Sequence, residues 1–224
     1  MACQVYGCRM EDGPQGIPLI PPMKIKSCYM GTGVVIAEDK ENYYILTAGH
    51  VAQKFESDIK VIFYEEAEEM VDAEVLFSKA PSIKELKTNH EDLAIIRIKK
   101  ENLSRSLKPI PLGTHWGRNV FTIGCSNGEI PSIIYGKIFK YNNGEFNIDF
   151  SPGHGRSGSG VFNKNATKVL GLVTRTDGEC FASQKILQIL KKELPDVDFS
   201  SENAIIDIWS LIFTLQCFPS KIGV

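Results

Sequence analysis

The strongest constraint on this chain is its punctuation. From about residue 28 to residue 174 it runs as short extended segments, each closed by Gly, Asn, Asp or Pro. Val34–Ile36, Tyr43–Leu46, Ile59–Tyr64, Val71–Leu76, Leu93–Ile98, Val120–Ile123, Ile133–Ile138, Phe146–Phe150 and Val169–Thr174 all have this character. They are rich in β-branched and aromatic residues and often alternate, as strands do. Asn142-Asn143-Gly144 supplies a hairpin turn between two of them. So many short strands predict an all-β sandwich or barrels and argue against a parallel α/β sheet. After them, Ser183–Leu194 carries Ile186, Leu187, Ile189, Leu190 and Leu194 at helical spacing and is stopped by Pro195. A second apolar stretch, Ala204–Phe218, suits either helix or strand. Residues 1–27, with Pro14, Pro18, Pro21 and Pro22, read as an irregular N-terminal arm.

The 224 residues give one large domain or two small ones. An apolar fraction of 43% supplies a core and excludes a disordered chain. With 25 Lys and Arg against 27 Asp and Glu, the net charge of -2 gives no global reason to expect a nucleic-acid partner. No apolar run is long enough to span a bilayer, so no membrane partner is expected. The start lacks the order of a signal peptide, and a cytoplasmic location is the expectation. The six cysteines are too sparse for a disulfide scaffold, and free thiols are expected. A metal module on Cys3, Cys8 and Cys28 lacks a clear fourth ligand, so no metal or cofactor is expected.

Three segments place reactive side chains among small or apolar residues. Ile45-Leu46-Thr47-Ala48-Gly49-His50-Val51 runs a strand into a small-residue corner before a histidine. His90-Glu91-Asp92-Leu93-Ala94-Ile95-Ile96 sets an acid at the mouth of an apolar strand. Ser151-Pro152-Gly153-His154-Gly155-Arg156-Ser157-Gly158-Ser159-Gly160 holds serines in a glycine loop. Each alone reads as an ordinary turn or loop. Together they supply what acyl transfer by serine needs: a nucleophile, a base to take its proton, and an acid to orient the base. Glycines about the serine also let backbone N–H groups converge on a developing oxyanion. The order His, Asp, Ser differs from that of the α/β-hydrolases and of the subtilisins.

On these motifs the chain resembles the trypsin-like, chymotrypsin-fold serine proteases. Thr47–Val51 is similar to the family's histidine motif, Asp92–Ile98 to its aspartate motif and Gly155–Gly160 to its serine motif, with Ser159 in place of a second glycine. The texture is closest to the Do-type, high-temperature-requirement branch, with too little chain after the helix for the PDZ domain that usually follows there. Compact viral proteases of the same fold are similar too. The resemblance implies two packed antiparallel six-stranded β-barrels with a C-terminal helix. The expected division is a first barrel over 28–112, a second barrel plus helix over 113–195, and a tail over 196–224.

The implied site has Ser157 as nucleophile, His50 as base and Asp92 as orienting acid, with Glu91 as the competing carboxylate. The N–H groups of Gly155 and Ser157 would form the oxyanion hole, and the substrate would be a protein or peptide. The implied specificity pocket has Ser151, Thr174, Arg175, Thr176 and Glu179 in its walls. Glu179 would favour a basic side chain and Arg175 an acidic one, while a neutral pocket follows if both charges face solvent. Arg156 stands where trypsins keep an Asp for a freshly cut N-terminus. The arm is therefore expected to pack or, like the tail, to recruit a partner, and not to act as an activation peptide. The other reading is a proteolytically silent protein-binding module on the same fold.

Overall fold

The computed structural model describes residues 2–12, 24–52, 59–64, 68–81, 91–113, 117–142 and 144–199. The apolar stretch at 204–218 and the whole proline-rich run at 13–23 lie outside them. Among the described residues the strand ladders are antiparallel, and one isolated parallel bridge joins Leu112 to Val169.

The first unit contains β1 (Ala2–Asp12), β2 (Lys24–Glu38), β3 (Asn42–Thr47), the short turn α1 (Gly49–Ala52), β4 (Ile59–Tyr64), β5 (Glu68–Asp72), β6 (Glu74–Lys79) and β7 (Leu93–Lys99). They form a seven-stranded sheet in the order β5-β4-β1-β2-β3-β7-β6. The second unit contains β8 (Asn119–Gly124), β9 (Ser132–Asn142), β10 (Glu145–Ile148), β11 (Gly160–Asn163), β12 (Val169–Val173) and β13 (Glu179–Ala182). These close into a six-stranded barrel, followed by α2 (Ser183–Glu193).

The continuous apolar runs have a simple cause. Successive strand residues point to opposite faces, and here both faces are covered. On β3 and β7, Tyr43, Ile45, Ile96 and Ile98 fill the first unit's interior. Their neighbours Tyr44, Leu46, Leu93 and Ile95 turn outward into a seam shared with Phe121, Ile123, Phe162 and Leu172 of the second unit. Ile186 and Leu190 of α2 pack into the same seam, which explains the helix's one-sided pattern. Val120, Phe146, Ile148, Val161, Leu170 and Val173 fill the barrel of the second unit.

The all-β architecture with a C-terminal helix matches the sequence expectation. Three particulars are corrected. The first unit is a seven-stranded sheet in which the described residues pair no strand with the outer sides of β5 and β6. The arm at 1–27 is not irregular, because Ala2–Asp12 is a strand held between β2 and β4. Cys3 and Val5 are fully buried there, so the start of this segment belongs to the core. The run Val71–Leu76 is two strands broken at Ala73, whose N–H bonds the Ile59 carbonyl at 3.0 Å. No helix among the described residues is long and apolar enough to cross a membrane.

Candidate active site

The pairing of β3 with β7 brings the histidine and aspartate together. Thr47 lies opposite Ala94, so His50 just after β3 meets Asp92 just before β7, 42 residues along the chain. The His50 backbone N–H donates to Asp92 Oδ1 at 2.8 Å, and Nδ1 lies 2.6 Å from Asp92 Oδ2. An ionised carboxylate only accepts, so the ring proton sits on Nδ1 and leaves Nε2 as the basic nitrogen. Asp92 is buried and His50 is half-buried. Glu91 turns away and pairs with Lys79.

The serine loop is seated from the first unit. Thr32, fully buried on β2, donates its N–H to the Ser157 carbonyl at 2.8 Å. Its Oγ1 donates to the Gly155 carbonyl at 3.0 Å and accepts the Cys125 N–H at 3.0 Å. Its own carbonyl accepts the Thr47 hydroxyl at 2.7 Å, just before the histidine turn. One threonine thus ties the loop of Ser157 to the end of β3, three residues before His50. Gly158, at φ +89°, closes the same seam, because a Cβ there would come within 2.0 Å of the Thr32 carbonyl and 2.4 Å of Thr47 Oγ1. A Cβ on Gly31 would meet Val51 Cγ1 at 2.7 Å and the Ser157 carbonyl at 3.1 Å, so the serine lies beside the residue that follows His50. Among the described residues Ser157 Oγ makes no hydrogen bond to His50.

Gly155, at φ +83°, faces the Cys125 carbonyl and the Asn127 N–H closely enough to exclude any side chain. Neither the Gly155 nor the Ser157 N–H is bonded among the described residues, leaving both free to receive a ligand oxygen. Between them Arg156 is only 1% exposed. Its Nε donates to Ser126 Oγ at 2.8 Å, and its Nη2 donates to the Ser132 carbonyl at 2.9 Å and to the Ser132 hydroxyl. Nη1 reaches Thr122 Oγ1 at 3.4 Å. Burial lowers its pKa, and its described partners are neutral oxygens in place of a carboxylate. The Ser159 hydroxyl is buried and lacks a hydrogen-bond partner among the described residues.

The pocket residues behave differently from either single-charge expectation. Arg175 Nη1 lies 3.3 Å from Glu179 Oε2, and its Nε lies 3.6 Å from Asp177 Oδ2. The two opposing charges therefore engage each other. Ser151 Oγ donates to the Thr176 carbonyl at 2.6 Å, joining the loop after β10 to the turn between β12 and β13. Thr174 Oγ1 donates to the Glu179 carbonyl at 3.3 Å. Burial pushes the Cys180 thiol up, so it stands beside this wall as a neutral group.

Motif reading missed Thr32 and the hydroxyls that hold Arg156. The only local sign of Thr32 was a hydroxyl residue between two glycines, Gly31 and Gly33, inside an otherwise apolar strand. Among the described residues no group of three metal-ligating side chains occurs. The side chains of Cys8 and Cys28 are outside that set.

A sheet and a barrel joined along one buried seam, with histidine and aspartate on one and a glycine-held serine on the other, define a chymotrypsin-like architecture. The trypsin-like peptidase domain model matches residues 31–172, more than half of the chain, and the chain belongs to that family. The serine endoprotease from Yersinia pestis superposes with a TM-score of 0.60 at 22% identity, covering 87% of this chain and 63% of that one. The HtrA-type protease AlgW, solved with a decapeptide, gives 0.62 at 17% identity, covering 87% of this chain and 64% of that one. Deg5 gives 0.61 at 15% identity, covering 88% of this chain and 90% of that one. This chain therefore spans less than two thirds of the first two. No curated protein matches by sequence.

Proposed function

We propose that the protein is a serine endopeptidase working through His50, Asp92 and Ser157. His50 Nε2 takes the proton of Ser157 Oγ as the oxygen attacks the scissile carbonyl carbon. The Gly155 and Ser157 N–H groups hold the resulting oxyanion. The imidazolium then gives its proton to the leaving amine as the C–N bond breaks, and an acyl-enzyme remains. Water, deprotonated by the same nitrogen, releases the acid and restores Ser157. Asp92 holds the tautomer throughout and stabilises the imidazolium. None of these steps requires a metal or organic cofactor. The observation that carries this reading is the doubly bonded His50–Asp92 pair facing a serine loop with two unengaged N–H groups.

The paired Arg175 and Glu179 support a neutral pocket that takes a small uncharged side chain before the cut. A reducing, cytoplasmic setting suits the free thiols of Cys3, Cys125 and Cys180. The test is a peptide-library digest with wild type, Ser157→Ala and Ser159→Ala. Ser157→Ala should abolish hydrolysis while Ser159→Ala retains it, and the reverse would reassign the nucleophile. Asp92→Asn should cost about 10⁴ in rate with the fold intact, while Glu91→Gln stays mild. Glu179→Gln and Arg175→Ala should leave a preference for small side chains. The missing Ser157–His50 hydrogen bond favours a second reading, a silent binding module on this fold. Failure of a fluorophosphonate to label Ser157 would support it.

A further inference from the structure

The charge of this chain is near neutral overall but uneven on its surface. On the first unit Lys60, Lys79, Arg97 and Lys100 each pair with a carboxylate. Along β8 and β9 the pattern is different. Lys137, with Lys164 from the turn after β11, lines one groove and Arg118 with Lys140 another, and none of the four makes an ion pair among the described residues. The lining carboxylate is Asp149, and its Oδ1 already accepts the Lys137 backbone N–H at 2.6 Å. Glu145, opposite Asn142 at the end of β9, bounds the strip.

Aromatic side chains alternate with these cations. Tyr135 is 74% exposed, Phe139 66% and Tyr141 49%, all on one strand. Tyr135 is braced by the Phe121 ring at 5.8 Å, and Phe121 stacks on Phe162 at 5.3 Å. Its outer face is thus held at a fixed orientation by the core behind it. The groove beside Tyr135 measures about 590 Å³ and the one beside Phe139 about 370 Å³. The seven strand residues from Tyr135 to Tyr141 extend roughly 20 Å.

We propose that this β8–β9 face binds single-stranded nucleic acid. Exposed rings interleaved with unpaired cations match a polyanion whose bases offer flat π faces. β9 is paired by β8 over 132–137 and by β10 over 138–142, which leaves only short stretches of backbone edge for strand addition. The exposed rings and cations make side chains, more than backbone edge, the distinguishing feature of this face. A second copy of this chain would set four cations against four. A protein partner fits less well, since lysine is depleted from protein interfaces and three of the four cations are lysines. This departs from the expectation drawn from net charge, which averages over a surface that is locally cationic. The proposal does not depend on peptide hydrolysis, and Ser157→Ala should bind as wild type does.

The experiment is fluorescence anisotropy of the full chain with a labelled 15-nucleotide pyrimidine strand, as DNA and as RNA. Binding should weaken by about 50-fold between 50 and 200 mM salt if all four cations meet phosphates. Tyr135→Ala and Phe139→Ala should each weaken it by about 5- to 150-fold, while Tyr135→Phe, which keeps the ring, binds as wild type. Lys137→Glu with Lys140→Glu should abolish binding or flatten its salt dependence. Unchanged melting temperatures would show that these exposed positions leave the fold intact. The proposal is overturned if the strand does not bind at 50 mM salt, or if a duplex binds equally with the aromatic variants silent. It is also overturned if an acidic peptide binds in its place, or if sedimentation shows a dimer that Phe139→Ala dissolves.

Discussion

Thr32 carries more of the site than its size suggests. Its hydroxyl satisfies the Cys125 N–H and reaches the Gly155 carbonyl, both beside the oxyanion loop. Thr32→Val keeps the shape and removes both bonds, leaving buried polar groups that cost about 1–3 kcal/mol. The expected result is a fall in kcat of about tenfold or more with KM little changed, restored by Thr32→Ser. A drop in stability with unaltered kcat would make the residue merely structural. Ser159 offers the opposite test. Its buried hydroxyl has no described partner, so Ser159→Ala should stabilise the fold by about 1 kcal/mol, read as a rise of about 2–4 °C in Tm. The proposed triad of His50, Asp92 and Ser157 could be picked out of the sequence because each residue sits in its own short motif. Thr32 could not, because its side-chain partners lie 93 and 123 residues away and leave no local pattern.

Among the elements, β1 shows where sequence patterning fails. Its residues Ala2-Cys3-Gln4-Val5-Tyr6-Gly7 lack the β-branched density of the later runs. Tertiary pairing decides the matter: Val5 lies opposite Gly31 on one side and Val61 on the other. Val5→Asp would bury a carboxylate in that centre and should cost more than about 3 kcal/mol. Urea denaturation checks this, and a wild-type midpoint would mean that β1 is not part of the folded sheet. The runs on β3 and β7 were easy to find because both of their faces are buried, which makes them continuous. The break at Ala73 was hidden because apolar and acidic residues continue through it unchanged.

At the scale of the whole molecule, the seam makes two units behave as one. Tyr44 and Leu46 from the first share a cluster with Phe121, Phe162 and Leu172 from the second and with Leu190 of α2. Phe162→Ala should cost about 3–5 kcal/mol and lower a single calorimetric transition. Two separate transitions in that variant would show that the seam does not couple the units. The strand-rich class was legible from punctuation alone, but the seven-strand count and the cationic strip were not. Both depend on which segments become neighbours, and composition averages that away. Among the described residues the chain passes from the first unit to the second between Lys99 and Asn119, and the proposed catalytic groups are divided across that crossing. His50, Asp92 and the Thr32 clasp stand on one side, while Ser157 and the proposed oxyanion donors stand on the other. A molecule opened there would be a coincidence detector, each fragment silent and hydrolysis signalling only that the two have met.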